Sequence, residues 1–174
     1  NKGIHYRMNP KNTVCLNVFG IDYVSLANNH VLDWGYPGLT ETLNSLRKAS
    51  IKFAGAGGNL QEAEQHVIMD IIGKGRIIVF SYGLSSSGIP SKWAAQKDRS
   101  GVNLLRKMSG DTVGMIKKQI DDIKQDNDIV IASLHWGNNW GYEIQQDYIN
   151  FAHRLIDTAG VDVIHGHSSH HAMP

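Results

Sequence analysis

Asp128-Ile129-Val130-Ile131-Ala132-Ser133-Leu134 is a nearly unbroken apolar run, and His135-Trp136-Gly137 follows it at once. A run without alternation reads as a strand covered on both faces, the pattern of a parallel sheet under helices. A histidine just past such a strand stands where open α/β sheets gather ligands, outside the carboxyl ends of the strands. Two further clusters repeat the arrangement. Residues 22–27 (DYVSLA) run into Asn28-Asn29-His30, and residues 161–164 run into His165-Gly166-His167-Ser168-Ser169-His170. Three clusters in that position can converge on one point, although they lie far apart along the chain. Convergent imidazoles with one amide are a donor set suited to transition metals.

Between these strands the apolar spacing turns helical. Residues 36–49 place Leu39, Leu43 and Leu46 four and three apart, and residues 145–159 do the same with Tyr148, Phe151, Leu155 and Ala159, stopping at Gly160. Asp111 reads as the cap of a helix striped by Val113, Ile116, Ile120 and Ile123. A further helix spans 10–19, with Asn9 as cap, Pro10 in the first turn and Gly20 at the end. Residues 51–54 form a strand, 59–65 a short helical turn, and 67–72 with 76–82 a hairpin across Gly73-Lys74-Gly75. The polar stretch 83–110 is long for a compact domain, so it is expected to be functional or to hold short elements of its own. It is a candidate to shape a substrate cleft, with Arg99 as a candidate anion contact. Strand–helix alternation of this kind predicts an α/β fold with parallel pairing.

Composition narrows the function classes. At 174 residues the chain can bury a sizeable core, and 41% apolar with 19% charged residues is ordinary for a globular protein. A net charge of +1 gives no reason to expect nucleic acid or an anionic membrane as partner. No stretch approaches the roughly 20 apolar residues of a membrane span, and the first five residues have no signal-peptide character. The single Cys15 excludes an internal disulfide and reads as a small buried hydrophobe. Histidine is in excess: nine in all, four of them between 165 and 171. The chain opens and closes abruptly, which reads as an internal piece of a larger domain.

Each histidine cluster admits two readings. Asn29 offers a neutral amide oxygen, and His30 beside it can aim past a metal toward a substrate and handle protons. Asp33 can hold the His30 ring in one tautomer; otherwise the tripeptide is a turn and Asp33 a helix cap. His135 is a ligand or a core histidine bonded to backbone, with Gly137 leaving room for close approach. His167 and His170, three apart, can share a metal or reach neighbouring ones, and Gly166 permits a tight turn. His165 reads as a strand residue, His171 as a rim residue or one that supports a ligand from behind, and His66 and His153 as packing or surface residues. No bridging carboxylate is evident apart from Asp33.

The run Leu26-Ala27-Asn28-Asn29-His30-Val31-Leu32-Asp33-Trp34-Gly35-Tyr36-Pro37-Gly38-Leu39 resembles the ANNHxxDxGxxGL signature of the CapA-type capsule-synthesis family. His135-Trp136-Gly137 and Gly166-His167-Ser168-Ser169-His170 resemble its HWG and GHxxH motifs; Tyr6-Arg7-Met8-x-Pro10 and Asp98-Arg99-x-Gly101-Val102-Asn103 are similar to family segments. The family is associated with bacterial poly-gamma-glutamate and belongs to the calcineurin-like metallophosphoesterase superfamily. The resemblance implies a metallophosphoesterase-like αββα sandwich, with residues 1–174 as one partial domain lacking pieces at both ends. It implies two divalent metals, with Mn, Fe, Zn and Co not distinguished. Asn29, His135 and His167 would bind one, and His170 would help bind the other. His30 would protonate the leaving oxygen or stabilise the transition state, oriented by Asp33. The implied function is hydrolysis of a phosphoester or action on an anionic polymer in capsule synthesis; the alternative is a non-catalytic accessory for making, moving or anchoring that polymer. The bacterial family pattern further implies an extracytoplasmic or cell-envelope setting, and carboxylate ligands from upstream Gly-Asp and Asn-Leu-Glu motifs that this chain does not contain.

Overall fold

In the computed structural model, which describes residues 3–173, a 3-10 turn over Pro10–Thr13 passes into a short helix, α1 (Val14–Val18). Asn1, Lys2 and Pro174, on which the reading as an internal piece partly rests, lie outside the described residues. Asn9 caps the turn as expected, accepting from the Lys11 N–H at 3.0 Å. The expected single helix is instead two tight pieces, because the Thr13 hydroxyl donates to the Pro10 carbonyl at 2.8 Å and favours three-residue spacing. Cys15 is half-buried rather than buried, since α1 has no buried residue.

Strand β1 (Tyr23–Ser25), helix α2 (Gly35–Lys48) and strand β2 (Lys52–Ala54) form a parallel β-α-β unit. Its core is the expected leucine stripe, Leu39, Leu43 and Leu46, packed on Leu26, Leu32 and Ile51. The glycine-rich stretch after β2 makes a ladder of its own: β3 (Ala56–Gly57) pairs antiparallel with a later strand, β6 (Gly101–Val102). Asn59 caps helix α3 (Leu60–Ala63). The hairpin follows as expected, β4 (Val67–Ile71) and β5 (Gly75–Leu84).

The 83–110 connection is not a solvated loop. It contains two 3-10 turns, Ser85–Ser87 and Ser91–Trp93, then β6 and β7 (Leu104–Leu105), and it buries Ile89 and Val102 against Ala27 in a small core. Helix α4 (Gly110–Asp121) is capped by Ser109, whose Oγ accepts from the Thr112 N–H, and not by Asp111. Asp111 falls in the first turn, where a carboxylate favours the helix dipole. Strand β8 (Ile129–His135), helix α5 (Gln146–Asp157) and strand β9 (Val163–His167) complete the order.

The main sheet runs β4-β5-β8-β9, with β7 also on β5; the β5, β8 and β9 ladders are parallel. Register sets two levels across these strands: Ser81, Ser133 and His165 align, and Gly83, His135 and His167 align two residues further on. The alternate residues, such as Phe80, Tyr82, Ala132 and Leu134, face the other way into the largest core, against Val113, Ile116 and Ile120 of α4 and Phe151 and Leu155 of α5. Burying each of the Val, Ile, Leu and Phe side chains among these contributes about 1.5–3 kcal/mol. The expectation that the 128–134 strand is covered on both faces holds only in part. Ile129 is 47% exposed, because the β1–β2 layer with α2 lies over β4 and β5 and makes few contacts further along the sheet.

A half-buried ion pair fastens the start of β8. Arg76 donates from Nε to Asp128 Oδ1 at 2.9 Å and from Nη2 to Oδ2 at 2.5 Å, and Oδ2 also accepts the Gln125 N–H at 2.8 Å.

Candidate functional site

His135 ends β8 and His167 ends β9, so both are strand residues and not loop residues. The parallel register places them side by side, with Nδ1 atoms 3.0 Å apart and ring centroids 4.9 Å apart. His135 is buried at 7% exposure. One level below, the Ser133 hydroxyl lies 3.2 Å from His167 Nε2 and 3.1 Å from His165 Nδ1. A hydroxyl accepting the Nε2–H of His167 leaves Nδ1 as the lone-pair atom, the tautomer a cation requires. Burial, followed by the neighbouring His165, holds the His167 imidazole down at a pKa of about 4, so the ring is neutral near pH 7.

Behind the pair, the Ser85–Ser87 turn ties the strand ends together. The buried Ser87 hydroxyl lies 2.9 Å from the His135 carbonyl and 2.7 Å from that of Leu84, and the Gly137 N–H donates to Ser86 Oγ at 3.3 Å. Asn29 reaches the same turn from the loop after β1: a methyl group on Gly88 would stand 3.3 Å from Asn29 Nδ2.

His30 is held within its own loop. The Asn28 carboxamide oxygen accepts the His30 backbone N–H at 2.9 Å, and Asp33 Oδ2 lies 2.6 Å from His30 Nδ1. The same Asp33 oxygen accepts the Tyr6 backbone N–H at 2.9 Å, while Trp34 Nε1–H donates to the Tyr6 carbonyl at 2.9 Å. Tyr6 thereby rests its ring edge against His30, centroids 4.4 Å apart. Asp33 is not the cap of α2; that position is Trp34, which makes no side-chain cap bond.

The structure thus brings His135 and His167 together directly, with Asn29 at the adjoining turn and His30–Asp33 on the same loop as Asn29. His170 stands on the loop after β9, its N–H bonded to the Asn139 carbonyl at 2.9 Å and its ring against Trp140 at 5.3 Å. Arg99 folds back on its own segment, donating from Nη2 to the Lys92 carbonyl at 3.2 Å. His66 packs on Phe80 and is held below its ordinary pKa by burial, and His153 is exposed on α5. Two glycines act otherwise than expected. Gly166 lies within β9, where a Cβ would come 2.9 Å from the Trp136 indole nitrogen; Gly137 adopts φ +77°, with nothing crowding it.

Sequence reasoning missed Tyr6, Ser87 and Ser133. Ser133 was legible, because a serine two residues before His135 in an apolar strand must share its face. Tyr6 and Ser87 carry no periodic signal.

A cation would suit the adjacent imidazoles in part. Metal–nitrogen distances of about 2.0–2.1 Å put two ligating nitrogens roughly 2.9–3.4 Å apart for ligand angles from square to tetrahedral, and the pair stands at 3.0 Å. Among the described residues, however, no group of three or more His, Cys, Asp or Glu side chains is gathered to hold a metal ion. Two adjacent imidazoles alone do not complete a coordination shell. Among them, no helix is long and apolar enough to cross a membrane.

The fold is α/β, with His135 and His167 at the carboxyl ends of adjacent parallel strands. The chain belongs to the bacterial capsule synthesis protein family PGA_cap, whose model matches residues 1–174. It is 44% identical over 174 residues, 99% of this chain and 46% of the relative, to a probable polyglutamine synthesis accessory protein of Mycobacterium tuberculosis. It is 28% identical to the PGA biosynthesis protein CapA of Bacillus subtilis, over 99% of this chain and 43% of that one. With the capsule biosynthesis protein CapA of Bacillus anthracis the identity is 25%, over 97% and 39%. The chain spans less than half the length of each of these relatives.

Proposed function

We propose that the full-length protein is a divalent-metal-dependent hydrolase of the phosphoester type, working in synthesis of an anionic capsule polymer of the poly-gamma-glutamate kind. The observation that carries this reading is the His135–His167 pair at 3.0 Å on the carboxyl edge of parallel strands. The layering supports it: α4 and α5 back one sheet, and the β1–β2 layer with α2 lies over part of the other face, as half of an αββα sandwich would.

In this reading His135, His167 and Asn29 hold one cation and His170 contributes to a second. Divalent cations there supply an activated water and neutralise the charge of the phosphoester. His30, its Nδ1 occupied by Asp33, exchanges its proton at Nε2 and delivers it to the leaving oxygen. The test is turnover of p-nitrophenyl phosphate and its diester by metal-loaded full-length protein. His30→Ala is expected to lower kcat about 10²–10⁴-fold, and His135→Ala with His167→Ala to lower bound metal.

A second reading is a non-catalytic accessory that binds the polymer. It is favoured by the partial ligand set among the described residues and by the name of the M. tuberculosis relative. Full-length protein that binds polyglutamate yet turns over no ester at any metal loading would decide for it.

A further inference from the structure

A cavity of about 710 Å³ lies between the segment from Tyr6 to Thr13 and helix α2, and His30 forms part of its wall. We propose that this cavity is the subsite for the alcohol portion of the substrate, and that the alcohol has an uncharged, apolar or aromatic body. The inference rests on the hydrolase reading and names its substrate class. Its size falls within the roughly 300–1,000 Å³ of small-molecule sites. Leu16, Leu26, Val31 and Leu46 line it with aliphatic surface, and Tyr6 and Trp34 add ring surface.

Charge decides against the polymer itself as occupant. Apart from His30, whose proton the reaction itself uses, the one cationic side chain lining the cavity among the described residues is Arg7, and Glu41 faces it at 3.8 Å, with both side chains more than half exposed. The Arg7 guanidinium also lies 5.2 Å from the Trp34 ring centroid. An anionic chain needs a surplus of positive charge, and here the two charges offset each other. A neutral leaving alcohol needs none. The chemistry closes on His30: the oxygen of water bonds to phosphorus, the P–O bond to the alcohol breaks, and that oxygen takes the proton of His30. The proton released by the water restores the imidazolium.

The experiment uses the full-length chain. Metal-loaded protein should show kcat/KM at least tenfold higher for 1-naphthyl phosphate than for glycerol 3-phosphate. Thr42→Trp and Ser45→Phe, which project bulk into the cavity from α2, should bring that ratio toward one. Calorimetry on metal-free protein should show 1-naphthol binding that either variant weakens tenfold or more at an unchanged unfolding midpoint. In the unmodified protein, 1-naphthol should give NOEs to the Val31 and Leu46 methyls. Equal kcat/KM for the two esters, or absence of those NOEs, would overturn the proposal. Turnover of neither ester, together with naphthol binding lost in the variants, would uphold the subsite and remove the hydrolase reading.

Discussion

Asp33 Oδ2 lies 2.6 Å from His30 Nδ1, and the Asp33 side chain is only 1% exposed. The same oxygen accepts the Tyr6 N–H at 2.9 Å, so one buried carboxylate fixes both an imidazole and the chain segment that covers it. Asp33→Ala strips a shared acceptor from two donors. It is expected to lower stability by about 1–3 kcal/mol, read from urea unfolding midpoints at pH 7. Asp33→Asn, which keeps one acceptor oxygen, should lose less. An Asp33→Ala midpoint equal to that of the parent would contradict the arrangement.

Among the described residues, Tyr6 meets His30 and its loop through its ring and its backbone. Tyr6→Phe should therefore leave stability and the downfield His30 Nδ1–H resonance unchanged. Tyr6→Ala removes the edge contact, worth about 0.5–1.5 kcal/mol for an aromatic pair, and should broaden that resonance through exchange with water. Equal behaviour of the two variants would show that the ring does not hold His30.

Gly166 is required by close approach and not by its backbone angle. A Cβ there would meet Trp136 Nε1 at 2.9 Å, and Trp136 packs at its other edges on Tyr148 and Phe151 of α5. Gly166→Ala is expected to cost about 1–3 kcal/mol, as overpacking does, with a shift in Trp136 fluorescence. Trp136→Phe should relieve part of that cost in the double variant.

Acid should loosen the start of β8. The hydrogen bonds from Arg76 hold the Asp128 carboxyl down at a pKa of about 2, below its ordinary range near 3.9. The stabilisation from this carboxylate is present above pH of about 4 and is lost as pH falls from about 4 to about 2. Unfolding midpoints measured from pH 5 to pH 2.5 should fall less steeply in Asp128→Asn than in the parent. Parallel slopes would remove the ion pair from the account.

The helices and strands were legible wherever apolar spacing had one reading. The α2 stripe of Leu39, Leu43 and Leu46 and the hairpin across Gly73-Lys74-Gly75 were both found where the periodicity put them. The 83–110 segment was expected to be functional or to hold short elements of its own, and it does hold such elements; which ones was hidden because Ser85-Ser86-Ser87-Gly88 carries no apolar periodicity. Its hydroxyls turn inward to backbone carbonyls, and Ile89 and Val102 fill a core that only tertiary contact creates. Ser109 displaced Asp111 as the α4 cap for a local reason: a cap must precede the first helical residue, and the helix starts at Gly110.

What the sequence by itself determined is the order of elements and the placing of His135 and His167 at strand ends, since a short, β-rich apolar run set between helical stripes reads as a strand and its boundary follows from composition. Side-by-side imidazoles needed the tertiary structure, because pairing Ser133 with His165 and His135 with His167 is a matter of register, and a slip of one residue would turn one ring to the opposite face. Tyr6 over His30 is also a tertiary fact. Its contacts span 24 residues or more and depend on a buried carboxylate that no periodicity announces.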